Sequence, residues 1–192
     1  MNHRGILVLI SSPSGGGKNS VIRKLIDHID DAVQFVTTTT RDRREGEING
    51  TDYHFISRKV FEKKIEAGDF VEYNDYAGNL YGTEKEKLDA SLKEHNILFS
   101  QADVNGKHSL DKLDIPHLSI FLMPESMDVL RERIINRGGV SEEKMHERLQ
   151  IAEEELETSK DYDFRVVNKE GALDETVEKI VGIIEEYRKK SK

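Results

Sequence analysis

The chain has 192 residues, 36% hydrophobic and 34% charged, which suits one core carrying small inserts but not two independent cores. It holds no Cys, so disulfides, thiolate zinc sites and cysteine nucleophiles are excluded, and its longest apolar run, Ile6 to Ile10, is too short for a bilayer span or a secretory signal. The net charge of −8 disfavours polyanion binding by the surface as a whole; a cytoplasmic protein with no nucleic-acid or membrane partner is expected, and no motif names a protein partner.

In chain order, Gly5 to Ile10 is a continuous apolar run, the pattern of a strand buried on both faces of a parallel sheet. A Ser/Pro/Gly turn follows. Val21, Ile22, Leu25 and Ile26 then fall on one face of a predicted helix. From about Val36 to Leu80 the texture changes to Thr, Arg, Gly, Asp and aromatic residues, read as an inserted subdomain of short strands around one helix. That helix has Ser57 as N-cap, Val60, Phe61 and Ile65 as its apolar positions, and Gly68 as its stop. Helix resumes after Thr83, where Thr83 and Glu86 have capping-box spacing. Ile97 to Phe99 and Leu118 to Met123 read as central strands, and Phe164 to Val167 as another. Two charged helices between Ser126 and Thr158 break at Gly138-Gly139. The closing helix carries Leu173, Val177, Ile180, Val181 and Ile184 on one face.

Ser12-Pro13-Ser14-Gly15-Gly16-Gly17-Lys18-Asn19-Ser20 stands between the first strand and the first helix, close to the phosphate-loop pattern G-x-x-x-x-G-K-S/T. Consecutive glycines let backbone N–H groups turn inward around an anion. The helix N-terminus adds roughly half a positive charge, and Lys18 a full one. Ser12 replaces the first glycine, and Asn19 stands where a hydroxyl would ligate magnesium. A carboxamide oxygen is still a hard ligand, acting directly or through water. A glycine-rich turn with an incidental lysine is the bland alternative; strand before and helix after favour a nucleotide.

The segment Thr37 to Phe55 packs Arg41, Arg43 and Arg44 among hydroxyl and aromatic residues. Guanidinium forks of this kind suit a dianionic phosphate, although a solvated basic strand edge has the same composition. The block T-T-R-x-x-R-x-G-E-x-x-G-x-D-Y from Thr39 to Tyr53, with Phe70-Val71-Glu72-Tyr73 and Gly78-Asn79-Leu80-Tyr81-Gly82-Thr83, resembles guanylate kinases. Asp103 with Gly106, Arg133 with Arg137-Gly138, Arg148-Leu149 and Val166-Val167-Asn168 extend the resemblance nearly end to end.

The resemblance implies an α/β fold of P-loop NTPase type, a parallel five-stranded sheet flanked by helices, with an inserted mixed α/β GMP-binding subdomain and a helical lid. The core would comprise 1–35, 84–125 and 159–192, the insert 36–83 and the lid 126–158. It further implies phosphoryl transfer from ATP, with Mg2+, to GMP or dGMP. Pro13, Ser14, Gly15, Gly16, Gly17, Lys18, Asn19, Ser20, Arg133 and Asn168 would bind ATP, Asn19 serving the metal. Thr37, Arg41, Arg44, Tyr53 and Tyr81 would hold the GMP phosphate, while Glu72 and Thr83 read guanine with Asp103 and Glu47 alongside. Lys18, Arg41, Arg137 and Arg148 would stabilise charge during transfer.

Bland readings stay open beside these: helix capping for Thr83, a solvated carboxylate for Glu72, a strand-end turn for Asn168, and pairing with nearby glutamates for the lid arginines. Gln101 occupies a position where the family usually has an acid. With Asn19 it leaves a second reading, a catalytically impaired nucleotide- or protein-binding module. His54, His95, His108, His117 and His146 lack metal-ligand spacing and are expected to be structural or on the surface.

Overall fold

The computed structural model describes residues 5–76, 78–101, 104–136 and 142–190. Strand β1 (Ile6–Ser11) leads into α1 (Lys18–His28) and then β2 (Ala32–Gln34). Next come β3 (Thr38–Thr39), β4 (His54–Phe55), α2 (Arg58–Glu66), β5 (Phe70–Tyr76), β6 (Asn79–Glu84) and α3 (Lys85–Glu94). The chain continues through β7 (Ile97–Gln101), α4 (Val104–Lys112), β8 (Leu118–Met123), α5 (Met127–Asn136), α6 (Glu142–Thr158), a 3-10 turn (Ser159–Asp161), β9 (Phe164–Val167) and α7 (Leu173–Lys190).

Strands β2, β7, β1, β8 and β9 form one sheet in that order, and every pairing in it is parallel. Side chains alternate across a strand, and β1 shows the consequence. Val8 and Ile10 pack with Val21, Ile22 and Leu25 of α1 and Val177, Ile180 and Ile184 of α7. Leu7 and Leu9 pack on the other face with Leu88, Leu92 and Leu110 of α3 and α4. Burying each such side chain contributes about 1.5–3 kcal/mol, so the apolar run makes β1 the central strand.

A second sheet runs β4-β3-β6-β5, with β3–β4 parallel and β3–β6 and β5–β6 antiparallel. Its small core is Phe61, Phe70 and Leu80, with Phe61 stacked on Phe70 at 4.3 Å between centroids. Ser57 caps α2 as expected, its side chain accepting from the Val60 N–H. Val60 itself is 43% exposed, because Phe61 and Ile65 already fill the face towards the sheet.

One expectation fails, and other features lie beyond what periodicity predicts. Thr83 caps no helix: it lies within β6, the N-cap position of α3 is Glu84, and the Glu84 side chain makes no capping hydrogen bond. The fifth strand of the large sheet is Ala32–Gln34, and a helix follows β7; neither is apparent from periodicity. Lys107 of α4 is buried, donating to the Asp161 carbonyl at 3.0 Å and pairing with Asp111 at 2.8 Å. It thereby fastens α4 to the turn that ends α6.

Candidate active site

Between Ser11 and Lys18 the chain must reverse from strand to helix within six residues. Gly15 and Gly17 accomplish this at φ of 92° and 90°, a region open chiefly to glycine. Gly17 must be glycine for a second reason, since a Cβ there would sit 2.6 Å from the Asn168 amide nitrogen. That amide donates to the Gly16 carbonyl at 2.9 Å, while its oxygen accepts from the Thr176 hydroxyl at 3.1 Å. The Asn168 backbone N–H donates to Met123 at 2.8 Å. The loop is thus held from outside by a buried carboxamide at the end of β9.

Lys18 Nζ donates to the Ser12 carbonyl at 2.8 Å, so the ammonium folds back across the loop. Pro13 is buried and Ser14, Asn19 and Ser20 are exposed, the last two in the first turn of α1, where the helix dipole favours an anion. Gln101 ends β7 opposite Ile10 of β1. Among the described residues no group of three or more His, Cys, Asp or Glu could hold a metal. The side-chain oxygen donors of the loop and first turn are Ser12, Ser14, Asn19 and Ser20, all neutral. Such donors fit a magnesium ion that keeps most of its water and arrives on phosphate oxygens.

Just beyond β3, Arg41 donates through Nη2 to Glu47 Oε1 at 2.6 Å and through Nη1 to the Asp42 carbonyl at 2.8 Å. Its guanidinium carbon lies 5.4 Å from the Tyr53 ring centroid and 5.6 Å from that of Phe55. Glu47 Oε2 accepts from the Arg44 N–H at 2.8 Å, closing the intervening turn. The bond to Glu47 raises the Arg41 pKa, and the bonds from Arg41 and the Arg44 N–H lower that of Glu47. Tyr81 meets Tyr53 edge-on at 5.9 Å, and burial, followed by Tyr81, raises the Tyr53 phenol. The Thr37 carbonyl accepts from the His54 N–H at 2.8 Å, so this residue stands at the entry to β3.

Thr83 Oγ1 donates to Glu72 Oε1 at 2.7 Å. These two residues face each other across β5 and β6, on the same ladder as Tyr81. Sequence reasoning named both but missed Glu84, which is buried beside them and bonded to Thr38, Lys64 and Lys87. Glutamate after an alternating strand pattern looks like a solvated helix start, and only the fold shows otherwise.

On α5, Arg133 donates to Glu170 at 2.7 Å and to the Asn168 carbonyl at 3.2 Å. A cleft of about 380 Å3 opens between Gly15, Gly17, Ser20, Arg133, Asn168 and Glu170, directly beside the phosphate loop. Asn168 lines this cleft, but its amide is engaged with the loop backbone. Arg148 lies half-buried on α6. Arg137 and Asp103 lie outside the described residues.

A family model for guanylate kinase matches residues 4–187. The chain is 39% identical to the guanylate kinase of Enterococcus faecalis, over 96% of this chain and 90% of that protein. It is 38% identical to that of Sus scrofa, over 84% and 83%. The crystal structure of guanylate kinase from Anaplasma phagocytophilum superposes with a TM-score of 0.74 at 28% identity, covering 96% of this chain and 87% of that one. A shikimate kinase from Bacteroides thetaiotaomicron, at 13% identity and a TM-score of 0.52, shares the fold alone. With its parallel sheet, glycine loop and Thr83–Glu72 pair, the chain belongs to the guanylate kinase family.

Proposed function

We propose that the protein transfers the γ-phosphoryl group of ATP to GMP, giving ADP and GDP. A phosphate oxygen of GMP forms the new bond to phosphorus in line, and the bond to the β,γ-bridging oxygen breaks; no side-chain nucleophile is needed. The observation that carries the guanine assignment is the Thr83–Glu72 hydrogen bond at 2.7 Å on a sheet that also holds Tyr81 and is flanked by Arg41 and Tyr53 at the ends of β3 and β4. The guanine N1–H and 2-amino group can donate to Glu72, and Thr83 is then free to turn its hydroxyl to O6. Adenine brings an acceptor to the same carboxylate, leaving buried groups unpaired.

In this reading Lys18 and the loop N–H groups hold the ATP phosphates, and the cleft under Arg133 receives the rest of the nucleotide. Arg41, Arg44, Tyr53, Tyr81 and Thr37 grip the GMP phosphate, with Glu47 orienting Arg41. Arg148 and Arg137 offset charge developing on the phosphoryl group, and Asp103 serves the guanine side. Asn19 would serve a magnesium ion directly or through water, and that ion would supply charge neutralisation of the ATP phosphates. Asn19 and Gln101 remove neither Lys18 nor any loop glycine, and no observation favours an impaired module.

An ADP-release assay with GMP, AMP, UMP and CMP across a magnesium titration tests the proposal. GMP should exceed AMP in kcat/KM by roughly 10⁴, with turnover rising with magnesium. Equal use of AMP would overturn the guanine assignment.

A further inference from the structure

Strands β5 and β6 do not pair continuously. Phe70 opposes Glu84, yet the next pair is Glu72 with Thr83, so Val71 is an extra residue on β5. An antiparallel ladder without this bulge would place Val71 against Thr83 and Glu72 against Gly82, because register steps one residue at a time. The bulge therefore delivers the Glu72 carboxylate to the Thr83 hydroxyl.

What holds β6 still at that point is its last residue. Glu84 is only 5% exposed and is gripped from three elements: Thr38 Oγ1 of β3 at 2.5 Å, Lys64 Nζ of α2 at 2.7 Å and Lys87 Nζ of α3 at 3.2 Å. A buried carboxylate with two cations resists sliding, because any displacement leaves a charge unpaired. Phe70, the cross-strand partner of Glu84 on the same side of the bulge, lies with its ring against Phe61; Gly82 stands on the other side, opposite Tyr73. A Cβ on Gly82 would approach Phe70 to 2.8 Å and the Glu72 carbonyl to 3.0 Å. The ladder is thus clamped on both flanks of the extra residue.

Resting on the GMP-kinase reading, we infer that Glu84, with Thr38 and Lys64, is a specificity-determining positioning residue: it pins β6 across the bulge so that Thr83 and Glu72 stand together as a guanine reader. Glu84 does not touch the substrate. It acts on Thr83, its chain neighbour, which points to the opposite face of the strand.

The test uses the full-length protein and three variants, Glu84→Gln, Lys64→Met and Lys64→Arg. Each is checked for folding by circular dichroism, then for KM of both substrates and for GMP affinity by calorimetry. Glu84→Gln should raise KM for GMP about 10-fold and narrow the GMP-over-AMP ratio of kcat/KM about 100-fold, with KM for ATP held. Lys64→Met should move both quantities the same way by less, and Lys64→Arg should retain wild-type selectivity. If Glu84→Gln does not fold, the two Lys64 variants decide. Folded variants whose GMP affinity and GMP-over-AMP ratio match wild type would overturn the role of Glu84. A wild type that does not prefer GMP overturns the functional reading itself, so the two failures are distinguishable.

Discussion

Asn168 serves two purposes with one side chain. Its amide closes on Gly16 and its oxygen takes the Thr176 hydroxyl, so the phosphate loop and α7 share a single buried link. Glu84 is the charged counterpart. Burial alone would raise its carboxyl, but Lys64, Thr38 and Lys87 override this and pull the pKa down to about 2 from an ordinary 4.5. A depressed carboxylate contributes stability that is complete above the unfolded value and lost as pH falls through the folded one. Unfolding free energies for wild type and Glu84→Gln should therefore differ most above pH 5, by on the order of 3 kcal/mol. That gap should close progressively from about pH 4.5 towards pH 2. A gap that stays constant down to pH 2 contradicts this. From the sequence, Lys18, Arg41 and Glu72 could be singled out because their chemistry sits in a spaced motif. Glu84 and Lys107 could not, since only tertiary partners distinguish a buried charge from a solvated one.

Among the elements, α2 earns its place through one ring. Phe61 is fully buried and stacked on Phe70 in a cluster whose other large buried member is Leu80. Phe61→Ala should cost about 3–5 kcal/mol by chemical denaturation. A loss below 1 kcal/mol would mean that the small sheet does not depend on this cluster. The elements legible beforehand were those marked by an apolar run, a clear cap or a helical stripe: β1, β7, β8, β9, α1, α2 and α7, with the charged pair α5 and α6. Ala32–Gln34 is too short to show alternation. In α4 a lysine occupies a buried position between Val104 and Leu110, which hides the apolar stripe. The Thr83–Glu86 spacing suggested a cap, but β-pairing with Glu72 holds Thr83 in the strand instead.

At the scale of the whole molecule, the two sheets are each flanked by a cationic set proposed to bind an anion, the loop with Lys18 and the Arg41 cluster. A ligand that binds only the folded state stabilises it by mass action, about 2.7 kcal/mol at one hundred times its Kd. GMP and ATP should each raise the thermal midpoint, and Lys18→Met should abolish turnover while the GMP shift persists. Loss of the GMP shift in that variant would mean that the two sets are not separable. The parallel five-stranded core was readable because buried parallel strands lack polar alternation. The bulge was not, because an inserted residue looks the same as any other until its partner strand is known.

The glycine loop spans residues 12 to 17, yet the side chain that fastens it belongs to residue 168. Strand β1, likewise first in order, waits for β7 and β8 to arrive on either side. Contacts so distant along the chain are slow to form. A fragment ending before residue 168 would carry the glycine motif without the side chain that fastens it, and should bind nucleotide more weakly than the full chain.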